Sequence, residues 1–454
     1  MPPPVRARSG RDRRAPGEPE LVLCGRAWLG GRLQPVEVGV DGEGTIRQVA
    51  RSLRGGRRHD VGDRVLLPSA TDLHVHLREP GATEEAETLA TGTVGAALAG
   101  VGLVGEMPNT EPPVTSLERL EAKAARVRGR AAVDVLLYAA ATQAAAVGPL
   151  ARHAGGFKLY LSPTTGIDEV PRGAVLDGLL AELARHDLPV AVHAEEPDRF
   201  REHVAAVDPA SWDERRPVEA EEAAVSRLLA GPPGLRLHVA HVTTATLARR
   251  LRAAGLSFEA TPQHLLLSNA SGRDARYKVN PPLRSEVARQ ALWQAFVGGE
   301  VPVLASDHAP HSAAAKARAF DLAPSGVPGV QTAVPMMLAR VASGELGLEV
   351  LQRAACDRPA RWLGQPIGRI APGHRADLLV VDFRLRGTVR ANELRSPCGW
   401  TPFEGARAVF PVEHWRAGEP IVQGGEYVGR SVGRVVRPEY APGGAARGNA
   451  RSPA

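Results

Sequence analysis

The amino-acid sequence predicts an α/β chain in which a (β/α)8 TIM-type barrel carries a small β-sandwich built from both chain ends. Three observations point there. Short apolar runs alternate with Ala/Leu/Arg-rich helical periods, the pattern of a parallel α/β fold. Nearly every run is apolar at its start and ends in a polar, ligand-capable residue: His76, Asn109, Lys158, His193, His241, His264 and Asp307. A barrel enzyme presents its chemistry at the carboxyl ends of many strands, whereas an open sheet gathers it at one switch point. Finally, residues near both ends alternate apolar and polar around Gly and Asp-Gly turns.

Taken in order, Leu21–Val49 reads as a β meander. Barrel strands are then expected at Arg64–His76, Val101–Asn109, Val133–Ala141, Phe157–Ser162, Leu188–Glu195, Leu235–Thr243, Leu256–Leu265 and Val301–His308. Helical periods fall between them at Glu84–Ala99, Ser116–Arg128, Ala174–His186, Glu219–Leu229, Ala245–Ala254 and Ser285–Phe296. Arg375–Phe383 and Val409–Val428 return to period-two alternation. The expected domains are thus a tail over 1–19, sandwich over 20–67, barrel over 68–364, sandwich again over 365–430, and a tail over 431–454.

Composition narrows the function classes. Apolar content of 43% and charged content of 23% suit an ordinary globular protein. The formal charge of +6 sits in the tails: residues 1–20 hold five Arg against three acids, and residues 430–454 five Arg against one Glu. A nucleic-acid-binding domain would carry its basic stripe on folded elements, so no nucleic-acid partner is expected. The scattered Cys24, Cys356 and Cys398 give no disulfide framework, which fits a reducing cytoplasm. The N-terminus has no apolar secretory core, and no stretch approaches the roughly 20 apolar residues of a membrane span.

The densest chemistry lies in Asp72–Gly81, DLHVHLREPG. Side chains at i and i+2 of a strand share a face, so His74 and His76 point together. Two neutral imidazoles on one face suit a borderline metal; taken alone, they equally suit two strand histidines bonded to backbone. His193, His241 and Asp307, each closing another apolar run, favour the metal, since buried polar groups need partners. Lys158 stands in an apolar strand, where burial lowers an ammonium's pKa. Such an amine can add carbon dioxide and bridge two cations as a carbamate, or it can pair with a carboxylate. His238 reads as structural.

The order HxH, Lys, His, His, Asp at strand ends resembles the amidohydrolase superfamily. The strings DLHVHLREPG, EMPNT, GFKLYLS, VHAEE, HVAHVTT, KVNPPLR, ASDHAPH and GVPGVQT are similar to those of its dihydroorotase family, over roughly residues 20–430. Ile367–Leu378, IGRIAPGHRADL, is likewise typical of amidohydrolases where the chain returns to the β domain. The resemblance implies two zinc ions per chain. His74, His76 and Asp307 would hold one and His193 and His241 the other, bridged by carboxylated Lys158 and a hydroxide. Some relatives have Asp in place of this lysine. The resemblance further implies that Arg78, Asn109 and His311 hold a substrate carboxylate. Asn280, Pro328 and Gly329 would contact a pyrimidine ring, the last two through backbone. His264 is a neighbour of the metal site, an extra ligand or a satisfied barrel histidine. Thr164, and next to it Thr165, would sit on a lid over Ser162–Gly166; the other reading makes them caps of the following helix.

The implied activity is reversible hydrolysis of (S)-dihydroorotate to N-carbamoyl-L-aspartate in de novo pyrimidine (UMP) biosynthesis, with Asp307 shuttling the proton. The implied partners are a small-molecule substrate, further copies of the chain in a dimer or larger homo-oligomer, and aspartate carbamoyltransferase; no membrane is involved. Two rivals remain. A hydantoinase or allantoinase would share the metals but not the Arg78 clamp, and a non-catalytic scaffold subunit would have lost metal ligands, none of which is lost here.

Overall fold

The structure, a computed structural model, describes residues 18–81 and 86–439. Most of the expected N-terminal tail, the start of the first expected helix at Glu84, and the C-terminal tail from residue 440 lie outside the described residues.

The chain opens with β1 (Leu21–Leu29), β2 (Arg32–Val40), β3 (Ile46–Ala50) and β4 (Arg57–Pro68). The barrel strands follow as β5 (Ala70–Val75), β6 (Val101–Glu106), β7 (Asp134–Ala140), β8 (Gly156–Tyr160), β9 (Pro189–His193), β10 (Arg236–Val239), β11 (Ser257–Ala260) and β12 (Val303–Leu304). Then come β13 (Leu378–Val381), β14 (Gly387–Thr388), β15 (Arg407–Ala408), β16 (Glu413–Arg416), β17 (Glu419–Gln423), β18 (Glu426–Tyr427) and β19 (Val435–Val436).

Strands β5 to β12 pair in sequence order, all parallel. The ring closes where Val75 bridges His308 in parallel and the His76 N–H donates to the His308 carbonyl at 2.7 Å. This is the expected α/β barrel. Its strands are buried save at the first residues of β10 and β11, as parallel strands covered on both faces must be. Helix Leu89–Ala99 illustrates the local code: Thr88 and Thr91 form a reciprocal capping box, and Gly100 at φ 85° ends the helix.

Two expected strands are revised. Arg64–His76 divides at Ser69: β4 pairs with β1 and β13 in the β domain, and only β5 enters the barrel. Leu256–Leu265 is a strand only to Ala260, after which Pro262–Leu266 is a short helix. Pro262 takes the first helical turn, where its missing N–H costs nothing. His264 therefore sits on that helix and not at a strand end.

The two chain ends do meet. They form one eight-stranded sheet, in the order β18-β17-β16-β13-β4-β1-β2-β3, with its own apolar core around Leu23, Val38, Ile46, Leu378 and Trp415. Residues 431–439, assigned by sequence to the tail, include β19, which pairs in parallel with Val135 and Leu136 of β7. Asp134 ties these parts together: its Oδ1 accepts from Arg416 and the Arg434 N–H, and its Oδ2 pairs with Arg375 at 2.7 Å.

Candidate active site

His74, on β5, and His76, just beyond it, face Asp307 from the loop after β12. Nε2 of each histidine lies 3.3 Å from Asp307 Oδ1, and one donor atom from each of the three fits within 4.8 Å. Their outer nitrogens settle the tautomers. His74 Nδ1 donates to Glu259 Oε1 at 2.6 Å, and His76 Nδ1 donates to Asn109 Oδ1 at 2.6 Å. Both Nε2 atoms are thus lone pairs aimed at a carboxylate oxygen. Burial holds the pKa of His74 to about 4 and that of His76 well below the usual imidazole value, so both are neutral donors. Three acceptors converging without a hydrogen between them fit a divalent cation.

A second pair stands beside the first. His193 Nδ1 lies 3.0 Å from His241 Nε2, while His193 Nε2 donates to Glu195 at 2.7 Å. The His74 and His241 rings are 5.4 Å apart, so both sets share one chamber. Lys158 lies among them on β8, its Nζ 3.3 Å from His74 Nε2. Among the described residues no carboxylate comes within ion-pair distance of it, which disfavours the paired-lysine reading. Burial drops its pKa to about 8, against the pull of Glu259 and Asp307. An amine that titrates there offers the neutral form that carbon dioxide captures.

Among the described residues, four outside glycine have positive φ, and three are here: Arg78 at 58°, His241 at 40° and Asp307 at 44°. Such backbone is costly for a residue with a Cβ and gathers at functional sites. Arg78 is buried, donates from Nε to the Pro310 carbonyl at 3.1 Å, and places Nη2 3.2 Å from His311 Nε2. No carboxylate among the described residues pairs with it. A buried, unpaired guanidinium facing the same chamber calls for an anion.

The chamber is lined by His74, His76, Arg78, Asn109, Lys158, His193, His241, Asn280, Asp307 and Thr164 of the expected set. His311 reaches it through Arg78. Pro328 and Gly329 instead line a smaller neighbouring cavity with His308, whose Nδ1 accepts the Gly329 N–H at 3.0 Å. Asn109 differs from a free substrate ligand, since its oxygen is committed to His76 and its Nδ2 donates to the Thr165 carbonyl. His264 has both nitrogens occupied, by Thr261 Oγ1 and the Pro281 carbonyl, which matches a satisfied histidine. Thr164 forms a tight turn with Ile167, and the next helix, Gly173–Leu183, is preceded by Arg172. Neither threonine caps it.

Several supporting residues were not visible from sequence. Glu259 accepts from both His74 and His238, and Glu195 from both His193 and Arg216. Bonds of this kind fix ring orientation and raise ligand basicity. Glu195 follows His193 by two residues, the one signal available; Glu259 left none. The loop carrying Ala309, Ser325 and Gly326 into the chamber is pinned by two buried lysines. Lys278 Nζ donates to the carbonyls of Phe320, Asp321 and Ala323, and Lys316 Nζ to those of Lys278, Pro324 and Gly326.

Residues 65–406 match the Amidohydrolase family. A dihydroorotase of Halobacterium salinarum is 37% identical over 411 residues, covering 88% of this chain and 96% of its own. Dihydroorotases of Bacillus caldolyticus and Thermoplasma volcanium are 36% and 32% identical, over 76% and 93% of this chain and 84% and 99% of theirs. Among solved structures, an L-hydantoinase (dihydropyrimidinase) from Arthrobacter aurescens superposes with a TM-score of 0.85 at 25% identity, covering 92% of this chain and 99% of its own. A dihydropyrimidinase from Brevibacillus agri reaches 0.83 at 23% identity, covering 93% and 99%, and speaks for the fold alone.

Proposed function

The chain belongs to the amidohydrolase family and, within it, to the dihydroorotases, and from that premise we infer that it hydrolyses (S)-dihydroorotate reversibly to N-carbamoyl-L-aspartate, a step of de novo pyrimidine biosynthesis. The observation that carries the substrate is Arg78, a buried guanidinium with no carboxylate partner among the described residues, opening onto the chamber that the histidines line. A carboxylated cyclic amide supplies the missing anion; hydantoin and allantoin do not.

Two zinc ions are proposed, one held by His74, His76 and Asp307 and the other by His193 Nδ1 and His241 Nε2, with Lys158 as a carbamate between them. When bound, such ions lower the pKa of a water and polarise the amide carbonyl. The residues do the rest. Arg78 fixes the substrate carboxylate, with His311 packed against the guanidinium, while Asn280 flanks the ring from the chamber wall and Pro328 and Gly329, in the neighbouring cavity, would reach it only through their backbone. Asp307 takes the proton of the attacking water and returns it to the departing ring nitrogen, base first and acid second. In the reverse direction it begins protonated. Thr164 and Thr165 close the chamber from the loop after β8, which excludes bulk water. His264 supports the chamber wall from behind.

Among the described residues no helix is long and apolar enough to cross a membrane. The reading extends to a cytoplasmic homo-oligomer, a dimer or larger, that associates with aspartate carbamoyltransferase; the support for this part is the resemblance to dihydroorotases. Steady-state assay of dihydroorotate against hydantoin, dihydrouracil and allantoin tests the substrate. A kcat/KM highest for dihydroorotate is expected, and equal or better turnover of an uncharged ring would replace this reading with the hydantoinase one.

A further inference from the structure

Tyr160 is used by nothing described so far. It stands two residues after Lys158 on β8, and residues so spaced share a face of the strand. It is 3% exposed and lines the chamber. Its ring lies 5.4 Å from Lys158 Nζ and 6.4 Å from the His193 ring. The ring therefore lies beside Lys158 and His193. The hydroxyl, however, has no hydrogen-bond partner, and the charged groups acting on it include Asp307 and Arg78.

A buried hydroxyl left unpaired costs free energy that a phenylalanine would not. Tyr138 stands on the neighbouring strand, so the barrel accommodates aromatic rings at this depth. Ring packing alone does not account for the oxygen. Tyr160 lines the chamber together with Arg78 and Asp307, so an acceptor bound there comes to the face that carries the hydroxyl.

We propose that Tyr160 is a substrate-binding residue whose hydroxyl donates a hydrogen bond to an acceptor oxygen of the anionic cyclic amide lying between Arg78 and Asp307. The inference rests on the dihydroorotate reading and deepens it. Its hydrogen-bond partner is the ligand, so the free protein gains nothing from the oxygen.

The test is Tyr160→Phe in the metal-loaded enzyme, with KM for dihydroorotate, bound metal and the melting temperature of the ligand-free protein measured together. KM should rise about three- to ten-fold, the value of one neutral hydrogen bond. Bound metal should stay at the wild-type level, and the melting temperature should hold or rise. An unchanged KM overturns the proposal. So does a variant that melts lower or fails to fold, because that outcome makes the hydroxyl structural. Wild-type enzyme that does not turn over dihydroorotate at all marks failure of the substrate reading itself, which the variant comparison does not touch.

Discussion

Glu259 holds His74 by its outer nitrogen: Oε1 accepts the Nδ1 hydrogen at 2.6 Å, while Oε2 of the same carboxylate accepts from His238 at 2.8 Å. The carboxylate thereby fixes which nitrogen of His74 faces Asp307. Burial pushes Glu259 up, but the His74 and His238 contacts outweigh it and hold its pKa below the usual range. Glu259→Gln keeps the shape and removes the charge. Metal affinity should fall about 10- to 100-fold, as for other residues that orient a ligating histidine. Competition with a metal chelator measures this, and unchanged affinity would remove Glu259 from the account.

Arg78→Met removes the carboxylate clamp. Loss of a buried charge contact typically costs about 2–5 kcal/mol, so kcat/KM for dihydroorotate should drop by that equivalent with KM raised. Bound metal should not change. Unaltered kcat/KM would mean that the anion is held elsewhere.

The loop after β8 makes a separate prediction. Thr164→Ala or Thr165→Ala should lower kcat as well as kcat/KM, by about ten-fold if one transition-state hydrogen bond is lost. Thr164 lines the chamber and neither threonine caps the following helix. Lowered melting temperature with intact kcat in both variants would end the lid assignment.

Acid stability follows from two histidines outside the proposed ligand set. Burial lowers the pKa of both His264 and His414 to about 4. The unfolded chain binds these protons near pH 6.5 and the folded chain does not. Stability is therefore full above about pH 6.5 and falls as the pH drops toward 4, with each histidine adding a slope approaching about 1.4 kcal/mol per pH unit. Denaturant melts at pH 7, 6 and 5 should show the decline. His414→Gln should flatten it at some cost in stability, since His414 bonds Ser69 and the Ala97 carbonyl.

The barrel was legible because each strand keeps an apolar run before a polar end, and HxH, Lys, His, His, Asp recur in an order that geometry must bring together. What the sequence concealed were partners. Asn109 could be read as a polar strand end, but its commitment to His76 depends on how β5 and β6 meet. The His264 run looked like a strand because Leu256–Ala260 alternates apolar and polar residues and Leu265 resumes the apolar pattern, and Pro262 marks the switch to helix only once the fold is known. The carbonyl cages of Lys278 and Lys316 depend on loop geometry that no periodicity encodes. Ser69 separates two strands that sequence joins, since the apolar end of β4, Val65–Pro68, runs straight on to β5 although the two belong to different sheets.

Metal-dependent opening of dihydroorotate depends on the two ligand sets acting together. Elemental analysis of purified protein, with dihydroorotate turnover followed through chelation and zinc return, tests it most directly. Close to two divalent ions per chain are expected, with loss of activity as they leave, recovery with zinc, and no recovery in His74→Ala or His193→Ala proteins that remain folded. Full dihydroorotate turnover by thoroughly metal-free protein would contradict it.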